Sequence, residues 1–189
     1  MYIAIEGIDT AGKSTQIEAL QKAFPDAITT KEPGATAIGK EIREMVLSAK
    51  AQSKRAEFLL FLADRAEHIK EVIKPNLHKM IISDRSAVSG VAYALIQGEI
   101  SKKDLVELNN FATECIYPQK IFLLKLTREE LEKRLSQKEL DGIELRGSEY
   151  LLAIQDAIKE ATELLGLQLI TIDATKSIEA ITKEILNSL

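Results

Sequence analysis

The sequence predicts an α/β fold, in which a five-stranded parallel sheet carries helices on both faces. Two observations lead to this prediction. Short apolar runs with strand character alternate with helical patterns along the whole of the 189 residues, and such alternation produces right-handed βαβ crossovers and a parallel sheet. A glycine-rich segment also joins the first apolar run to the first helical pattern, the point at which such folds bind phosphate groups.

The elements of the first half of the chain are predicted from the spacing of apolar residues and from the positions of turn residues. Runs of strand length that end at turn residues predict strands, and apolar residues at helical spacing, such as Ile17, Leu20 and Phe24, predict helices. A loop with Pro33 and Gly34 separates two of these elements. In order, they are a strand at 2–6, a helix through residue 24, a strand at 27–30, and helices at 37–49 and 51–73.

The second half repeats the alternation. Pro118 opens a strand, and Thr127 is a predicted N-cap because Glu129 and Glu130 follow in the first turn of its helix. A charged segment at 137–147 has no apolar periodicity and predicts a loop. The strands are predicted at 80–83, 120–126 and 168–172. The helices are predicted at 88–96, 102–115, 128–135 and 177–186, and one further helix, before the last strand, ends at residue 165.

Length and composition predict one globular domain over residues 1–189. Hydrophobic residues make up 46% and charged residues 29% of the chain, and both values are ordinary for such a domain. The net charge of -4 argues against general nucleic-acid binding, which requires a basic surplus. A local cluster of arginines can still bind a small anion in an acidic protein.

Cysteine usage and the N-terminal residues indicate a cytoplasmic protein. Cys115 is the only cysteine, so no internal disulfide can form, which fits a reducing compartment. His68 and His78 are the only histidines, which argues against a structural zinc site. The apolar runs are too short to span a bilayer, and residues 1–6 predict a buried strand rather than a signal peptide.

A complete phosphate-binding motif follows the first strand. The residues read Gly7-Ile8-Asp9-Thr10-Ala11-Gly12-Lys13-Ser14, with Thr15 next, and match G-x-x-x-x-G-K-[ST] at every position. Glycine lets backbone N–H groups wrap a phosphate, and the following helix adds the partial positive charge of its N-terminus. We expect Lys13 to reach the β- and γ-phosphates of ATP and the Ser14 hydroxyl to ligate Mg²⁺.

A second group for the metal is predicted where the third strand ends. Asp84 follows an apolar run, so its carboxylate is expected beside the phosphate loop, where it can hold Mg²⁺ through water. A carboxylate that caps the following helix is the competing interpretation. The residues alone leave both open.

The motifs that are missing narrow the class of nucleotide-binding protein. No D-x-x-G switch motif after a strand and no N-K-x-D guanine signature is present, which disfavours a GTPase. A phosphate loop, arginines in the middle of the chain and a late charged segment are the layout of nucleoside monophosphate kinases. In those enzymes the late segment closes over the nucleotide as a lid, here predicted at about 137–147.

At this point the chain resembles the bacterial thymidylate kinases over essentially its full length. The resemblance is specific because several motifs occur in the family's order. They are residues 7–15, Thr30-Lys31-Glu32-Pro33-Gly34, Phe61-Leu62-Ala63-Asp64-Arg65, Asp84-Arg85-Ser86 with Ser89 and Ala92-Tyr93, and Asp173-Ala174-Thr175-Lys176-Ser177. The resemblance implies the three-layer fold of P-loop NTP hydrolases, with strand order 2-3-1-4-5.

The resemblance also implies which residues bind ATP and the acceptor dTMP. Residues 7–15 would hold the phosphates of ATP, and Ala174 and Lys176 would contact its adenine. Lys13, Asp9, Arg85 and Arg146 would be catalytic. The acceptor would be bound by Asp9, Glu32, Pro33, Arg43, Phe61, Arg65, Arg85, Ser89 and Tyr93, and the metal by Ser14 and Asp84.

Individual roles follow from the same resemblance. Asp9 would accept a hydrogen bond from the acceptor's 3′-hydroxyl, while Arg85 and Arg43 would lie near the acceptor phosphate. Arg65 would approach the pyrimidine edge and Phe61 would stack on the thymine ring. Glu32 and Pro33 would shape the pocket, and Tyr93 would crowd the 2′ position and disfavour ribonucleotides. The family usually forms homodimers through helices, and the helix predicted at 51–73 is the candidate.

The residues also allow structural interpretations. Phe61 and Tyr93 could be core residues, and Arg43 and Arg65 lie in helices rich in acidic residues, where solvated ion pairs are the default. The resemblance favours the functional interpretation for these side chains. The alternatives are a kinase for another nucleoside monophosphate or a deoxynucleoside, and an ATP-binding module without transfer chemistry.

The chain departs from the family at several positions. Lys31 replaces an arginine, Ser86 replaces a tyrosine or histidine, and Gly90 and Ala94 lack the polar side chains that many relatives place near the base. Gly142 falls where the bacterial lid pattern D-R-x-E has its arginine. Because Thr10 is not the arginine of the animal type either, the catalytic charge must come from Arg134, Lys138 or Arg146, and we predict Arg146.

Overall fold

A parallel five-stranded sheet forms the centre of the molecule, in the order β2-β3-β1-β4-β5. The computed structural model describes residues 1–48, 52–137 and 146–189. The strands are β1 (Tyr2–Glu6), β2 (Ile28–Lys31), β3 (Ile81–Asp84), β4 (Lys120–Lys125) and β5 (Leu169–Asp173). The predicted fold and strand order are confirmed, and the predicted ends of each strand are correct to within one residue.

Helices alternate with the strands as predicted. They are α1 (Lys13–Ala23), α2 (Ala37–Leu47), α3 (Lys54–His68), α4 (Ala87–Gln97), α5 (Lys102–Thr113), α6 (Arg128–Leu135), α7 (Ser148–Leu164) and α8 (Ile178–Asn187). The predicted cap Thr127 accepts a hydrogen bond from the backbone N–H of Glu130, which starts α6. None of the helices in these described ranges is long and apolar enough to span a membrane.

The helix predicted at 51–73 differs from the observed elements at both ends. Ser53 caps α3 by accepting a hydrogen bond from the N–H of Ala56, so the helix starts at Lys54. Beyond His68 the backbone continues as a π-helical turn, Ile69–Ile73, and then a 3₁₀ turn, Lys74–Asn76. The predicted junction at residues 49–51 lies outside the described residues.

The core lies on both faces of the sheet. Every residue of β1 is buried, as a central parallel strand with helices on both sides requires. Ile3, Ile5 and Phe122 belong to the main core, and Ile69 and Ile73 pack with Tyr2 and Ile81 in a second, smaller cluster. The sheet is therefore a rigid platform for the loops at its edge.

The carboxyl ends of the strands bring the predicted site residues together. Ile5 of β1 lies opposite Asp84 of β3, and Glu6 lies opposite Leu123 of β4. The phosphate loop, the segment after β2 and the segment after β5 all leave from this edge, where open α/β sheets bind ligands.

Candidate active site

The phosphate loop has the backbone that its glycines allow. Gly7 and Gly12 have φ angles of 151° and 94°, and a Cβ at Gly7 would lie 3.0 Å from the carbonyl oxygen of Leu124. Gly12 precedes the first residue of α1, so the helix begins at Lys13 and its N-terminus faces the loop. Thr10 also has a positive φ, 68°, which is uncommon for a β-branched residue.

Lys13 is a buried cation held inside the loop. Its Nζ donates to the carbonyl oxygens of Gly7 and Ile8, at 3.2 and 3.1 Å, and lies 3.7 Å from Oδ1 of Asp9. Burial, together with the nearby charge of Arg85, lowers the pKa of Lys13 to about 8. The ammonium therefore still carries its proton at pH 7 and is placed to neutralise a phosphate.

Ser14 and Asp84 fit a magnesium ion. Both line one cleft of about 450 Å³ beside α1 and the end of β3. Oδ1 of Asp84 is buried without a hydrogen-bond partner among the described residues, and a hard cation prefers such oxygen ligands. The described residues contain no group of three or more His, Cys, Asp or Glu side chains that could hold a metal. Water and phosphate oxygens would therefore complete the coordination shell.

Arg85 and Asp9 join the phosphate loop to the pocket beside it. NH2 of Arg85 donates to Oδ1 of Asp9 at 2.6 Å, and NH1 donates to the carbonyl oxygen of Gly7 and to Oγ of Ser89, at 3.1 and 3.2 Å. Burial acts to lower the pKa of Arg85, but the nearby groups together outweigh it and the pKa is raised; they are Asp9, Tyr93, Glu6 and Asp84. The guanidinium is thus held, fully charged, at the edge of the loop.

Glu32 and Arg65 form a buried ion pair in the predicted acceptor pocket. The side chain of Arg65 is 3% exposed and that of Glu32 is 5% exposed. Nε of Arg65 donates to Oε2 of Glu32 at 2.9 Å. NH1 of Arg65 donates to Oδ1 of Asn109 on α5 at 2.8 Å. His68 lies between Glu32 and Thr30, at 3.0 and 2.7 Å. Burial acts to raise the pKa of Glu32, but the charge of Arg65 and the bond with His68 lower it.

The segment after β2 is fastened to α3 and α2. Oδ1 of Asp64 accepts a hydrogen bond from the N–H of Gly34 at 2.9 Å, and NH1 of Arg43 donates to the carbonyl oxygen of Pro33 at 3.1 Å. A Cβ at Gly39 would overlap Oδ1 of Asp64, so α2 can approach α3 only with glycine there. Burial raises the pKa of Asp64 to about 6, against the opposing bond from Gly34. The Glu32–Pro33 peptide bond is cis.

The remaining predicted acceptor residues lie on α3 and α4. Phe61 and Tyr93 are half-buried, and Ser89 is buried. Burial raises the pKa of Tyr93 to about 12, and the charges of Arg85 and Asp9 both act on its hydroxyl. The predicted acceptor residues therefore form two groups. One group lies beside the phosphate loop and consists of Asp9, Arg85, Ser89 and Tyr93. The other consists of Glu32 and Pro33, in the segment after β2, and of Arg65 and Arg43, which bond to them.

On the side of the phosphate loop predicted to bind ATP, the donor side, Arg134 connects two loops. Its NH1 donates to the carbonyl oxygen of Thr10 at 2.9 Å and its NH2 to that of Ala174 at 2.8 Å, while Nε donates to Glu130. The phosphate loop and the segment after β5 are therefore held together by one guanidinium. Lys176, in that segment, is exposed and forms an ion pair with Glu184 at 2.8 Å.

Arg146 contacts Tyr150 at the start of α7. Its NH1 donates to the Tyr150 hydroxyl at 2.9 Å, and its guanidinium carbon lies 5.0 Å from the centre of the ring. Residues 138–145, most of the predicted lid, lie outside the described residues, and so does the alternative cation Lys138. The catalytic role of Arg146 stays a prediction.

The structure also identifies polar residues that our sequence prediction left out. Glu6 is fully buried beneath the phosphate loop, and His68 and Asn109 are fully buried beside Arg65. A signal existed for two of them, because Glu6 ends an apolar strand and Asn109 shares the apolar face of α5 with Leu105. No local sequence pattern connects Asn109 to Arg65, or Glu6 to the Ser89 hydroxyl that bonds to Arg85.

Comparison with known proteins identifies the family of this chain. The family model described as "Thymidylate kinase" matches residues 5–185. The thymidylate kinase of Sulfurimonas denitrificans is 73% identical over 189 residues, which is 100% of this chain and 99% of the relative. That of Aliarcobacter butzleri is 59% identical over 98% of this chain and 96% of the relative.

A solved structure shares the fold. The crystal structure of thymidylate kinase from Ehrlichia chaffeensis superposes with a TM-score of 0.75 at 24% identity, covering 100% of this chain and 97% of the other. At that identity the likeness concerns the fold alone. The match to the family model and the identity to full-length relatives together show that this chain belongs to the thymidylate kinase family.

Proposed function

We propose that this chain transfers the γ-phosphoryl group of ATP to dTMP, giving dTDP and ADP. The observation that carries the proposal is the position of Arg85. Its guanidinium bonds to the phosphate loop through Gly7 and to Asp9 and Ser89 on the acceptor side. One cation thus touches both halves of the cleft, where the phosphate that attacks and the phosphate that is attacked must meet.

Charge neutralisation and alignment are what these residues supply. Two terminal phosphate groups bring about two negative charges each into the cleft, and Lys13, Arg85 and Arg43 face that charge. The planar guanidinium of arginine also fixes the geometry of a phosphate. No general base is needed, because the acceptor phosphate has a second pKa of about 6 and is largely ionised at pH 7. Positioning and electrostatic stabilisation then lower the barrier.

Ser14 and Asp84 are the residues that we propose for Mg²⁺. When bound, the ion would neutralise charge on the phosphate oxygens of ATP. Two observations support this assignment: Oδ1 of Asp84 is buried with no hydrogen-bond partner in the part of the chain that the structure describes, and the exposed Ser14 lines the same cleft. Replacing Asp84 with Asn should raise the Mg²⁺ concentration needed for half-maximal rate, and an unchanged requirement would exclude Asp84 as a metal group.

The acceptor pocket favours a pyrimidine deoxynucleotide. We place the thymine ring beside Phe61, its edge towards Arg65 and its sugar between Asp9 and Tyr93. Arg65 supports this placement because Glu32 and Asn109 hold its guanidinium in one orientation. Ala174 and Lys176 are placed at the adenine of ATP, on the opposite side of the phosphate loop.

We also propose that the chain acts in the cytoplasm as a homodimer. Leu59 of α3 is 56% exposed and Phe111 of α5 is 86% exposed, and α3 packs against α5. We infer that the two side chains belong to one apolar patch across α3 and α5, because contiguous exposed patches are characteristic of surfaces that another protein covers. Light scattering should give twice the chain mass of 21.0 kDa, and a Phe111→Glu variant should shift it towards the single chain. A monomer in the unsubstituted protein would contradict the proposal.

A panel of acceptors tests the activity. ADP release is measured with ATP, Mg²⁺ and each of dTMP, dUMP, dCMP, dAMP, UMP and CMP, and we expect dTMP to have the highest kcat/KM. Turnover of another monophosphate with none of dTMP would favour the alternative acceptor. ATP binding without transfer to any monophosphate would favour a binding module.

A further inference from the structure

Glu6 is a buried carboxylate at the end of an otherwise apolar strand. It is the last residue of β1 and directly precedes Gly7 of the phosphate loop, and its exposed fraction is 0%. Each of its oxygens accepts one hydroxyl from the start of α4. Ser86 donates to Oε1 at 2.8 Å, and Ser89 donates to Oε2 at 2.5 Å.

The Ser89 hydroxyl can donate only one hydrogen bond, and it donates that bond to Glu6. The oxygen of Ser89 therefore presents its lone pairs to its other neighbour, which is NH1 of Arg85 at 3.2 Å. A guanidinium can only donate hydrogen bonds, so Ser89 must accept for this contact to exist. The carboxylate of Glu6 thus fixes the orientation of the Ser89 hydroxyl, with its proton towards Glu6 and its lone pairs free to accept from Arg85.

Packing does not account for an acid at this position. Residues 2–5 are all apolar or aromatic and buried, and an isolated buried carboxylate is unfavourable unless it is paired and hydrogen-bonded. Burial raises the pKa of Glu6, while the hydroxyls of Ser89 and Ser86 and the charges of Arg85 and Lys13 oppose that rise. All the groups that compensate Glu6 therefore belong to the loop and helix start that form the site.

We propose that Glu6 is a positioning residue for Arg85, acting through the hydroxyl of Ser89. The contact with Ser89, together with the carbonyl oxygen of Gly7, holds NH1 on the protein side, so that NH2 faces Asp9. This inference rests on the proposed function, because it concerns the arginine that we place at the acceptor phosphate. It assigns Glu6 no contact with either substrate.

A double-mutant cycle between Glu6→Gln and Ser89→Ala tests the proposal. The glutamine side chain keeps the volume of Glu6 but offers only one acceptor oxygen, so one hydroxyl must turn. We expect KM for dTMP to rise about tenfold in either single variant, with KM for ATP within twofold of the unsubstituted value. The double variant should match a single variant rather than show about a hundredfold rise, because both changes break the same connection.

Ser86→Ala is the matched control. Ser86 donates to the same carboxylate but has no bond to Arg85, and its oxygen caps α4 by accepting from the N–H of Val88 at 3.3 Å. Loss of this cap should lower Tm by about 2–4 °C and leave KM for dTMP unchanged. A rise in KM for dTMP as large as that of Ser89→Ala would contradict the proposal.

Other results would also overturn it. Additive effects of Glu6→Gln and Ser89→Ala would mean that Glu6 does not act through Ser89. Equal rises of KM for both substrates would mean that Glu6 supports the fold rather than the position of Arg85. If Glu6→Gln does not fold, Glu6→Asp enters the same cycle, because its carboxylate is one methylene short of the two hydroxyls. Failure of the unsubstituted protein to use dTMP would refute the proposed function instead, and the cycle would then be measured with the acceptor that is used.

Discussion

The two sides of the cleft are built in different ways. On the acceptor side, Glu32, Arg65 and His68 are buried and bond to one another through their side chains. On the donor side, Arg134 is partly exposed and bonds to two backbone carbonyl oxygens, and Lys176 forms its ion pair at the surface. Away from the buried Lys13 of the phosphate loop, the acceptor side therefore holds its charges in the interior, whereas Arg134 and Lys176 hold theirs at or near the surface.

This difference follows from what each side must recognise. Under the proposed function, the phosphate loop holds ATP mainly through backbone N–H groups, which need no side-chain selection. The acceptor pocket must distinguish one small monophosphate from its analogues, and discrimination is strongest where buried polar groups would be left unpaired by the wrong ligand. A preorganised acceptor side also reduces the entropy lost on binding.

The largest effect is expected from breaking the buried pair of the acceptor side. Arg65→Met leaves the Glu32 carboxylate buried without its cation, so we expect the free energy of unfolding to fall by about 3–5 kcal/mol. Urea denaturation at pH 7 measures this loss. Arg55, an exposed arginine of the same helix, provides the control, and Arg55→Met should change stability by no more than about 0.5 kcal/mol.

A second variant separates charge from packing. Combining Glu32→Gln with Arg65→Met removes the uncompensated charge, so it should recover part of the stability lost by Arg65→Met. A loss below about 1 kcal/mol in Arg65→Met itself would show that the pair is not buried as described.

The next effect concerns the pH dependence of stability. The pKa of Asp64 is raised from 3.8 to about 6 by burial and by the nearby Glu32, while Gly34, His68 and Arg65 act to lower it. A carboxyl group whose pKa is raised on folding stabilises the protein fully below its unfolded pKa, and this contribution is lost as the pH rises through about 6. Stability should therefore decline between pH 4 and pH 7 on account of Asp64.

Asp64→Asn should remove that decline. The unfolding free energies of the two proteins, compared at pH 4.5 and pH 7, should differ in their pH dependence by about 2 kcal/mol, with the variant less sensitive. Parallel curves would contradict the assignment. The amide oxygen can still accept the bond from Gly34, so the variant is expected to fold.

On the donor side, Arg146→Ala tests the source of catalytic charge. We expect turnover to fall at least tenfold, about 1.4 kcal/mol in barrier height, while the affinity for dTMP stays near normal. Arg128 is the control, because it is also exposed and its guanidinium pairs with Glu149 in the first turn of α7. An unchanged turnover in Arg146→Ala would remove Arg146 from the mechanism and leave Arg134 and Lys138 as candidates.

The difference between the two sides of the cleft also explains how much of the site the sequence could predict. The strands are continuous apolar runs, and the loop Gly7–Ser14 is a local motif, so both were predictable from neighbours along the chain. The order β2-β3-β1-β4-β5 and the individual site residues required the family resemblance, because alternation alone allows other orders. The donor side, built on a motif and backbone carbonyls, was the more predictable half.

The buried network of the acceptor side could not be predicted in the same way. Asn109 reaches Arg65 across 44 positions of the chain, and Glu6 reaches Ser89 across 83. A polar residue on an apolar helix face or strand end signals only that a partner exists. The identity of the partner depends on how helices pack on the sheet, which is a property of the whole fold.

The smallest effect is expected at Arg134, where the donor side depends on one exposed guanidinium. Arg134→Ala removes the bonds to Thr10 and Ala174 that hold the two loops together. Because the guanidinium is partly exposed, the two bonds together contribute only about 1 kcal/mol, so we expect KM for ATP to rise about fivefold, with KM for dTMP unchanged. Lys133 is the matched control, since it also bonds to Glu130 but to neither loop. Equal effects of Lys133→Ala and Arg134→Ala would show that α6 acts through Glu130, whereas a rise in KM for dTMP would show that the two sides are not independent.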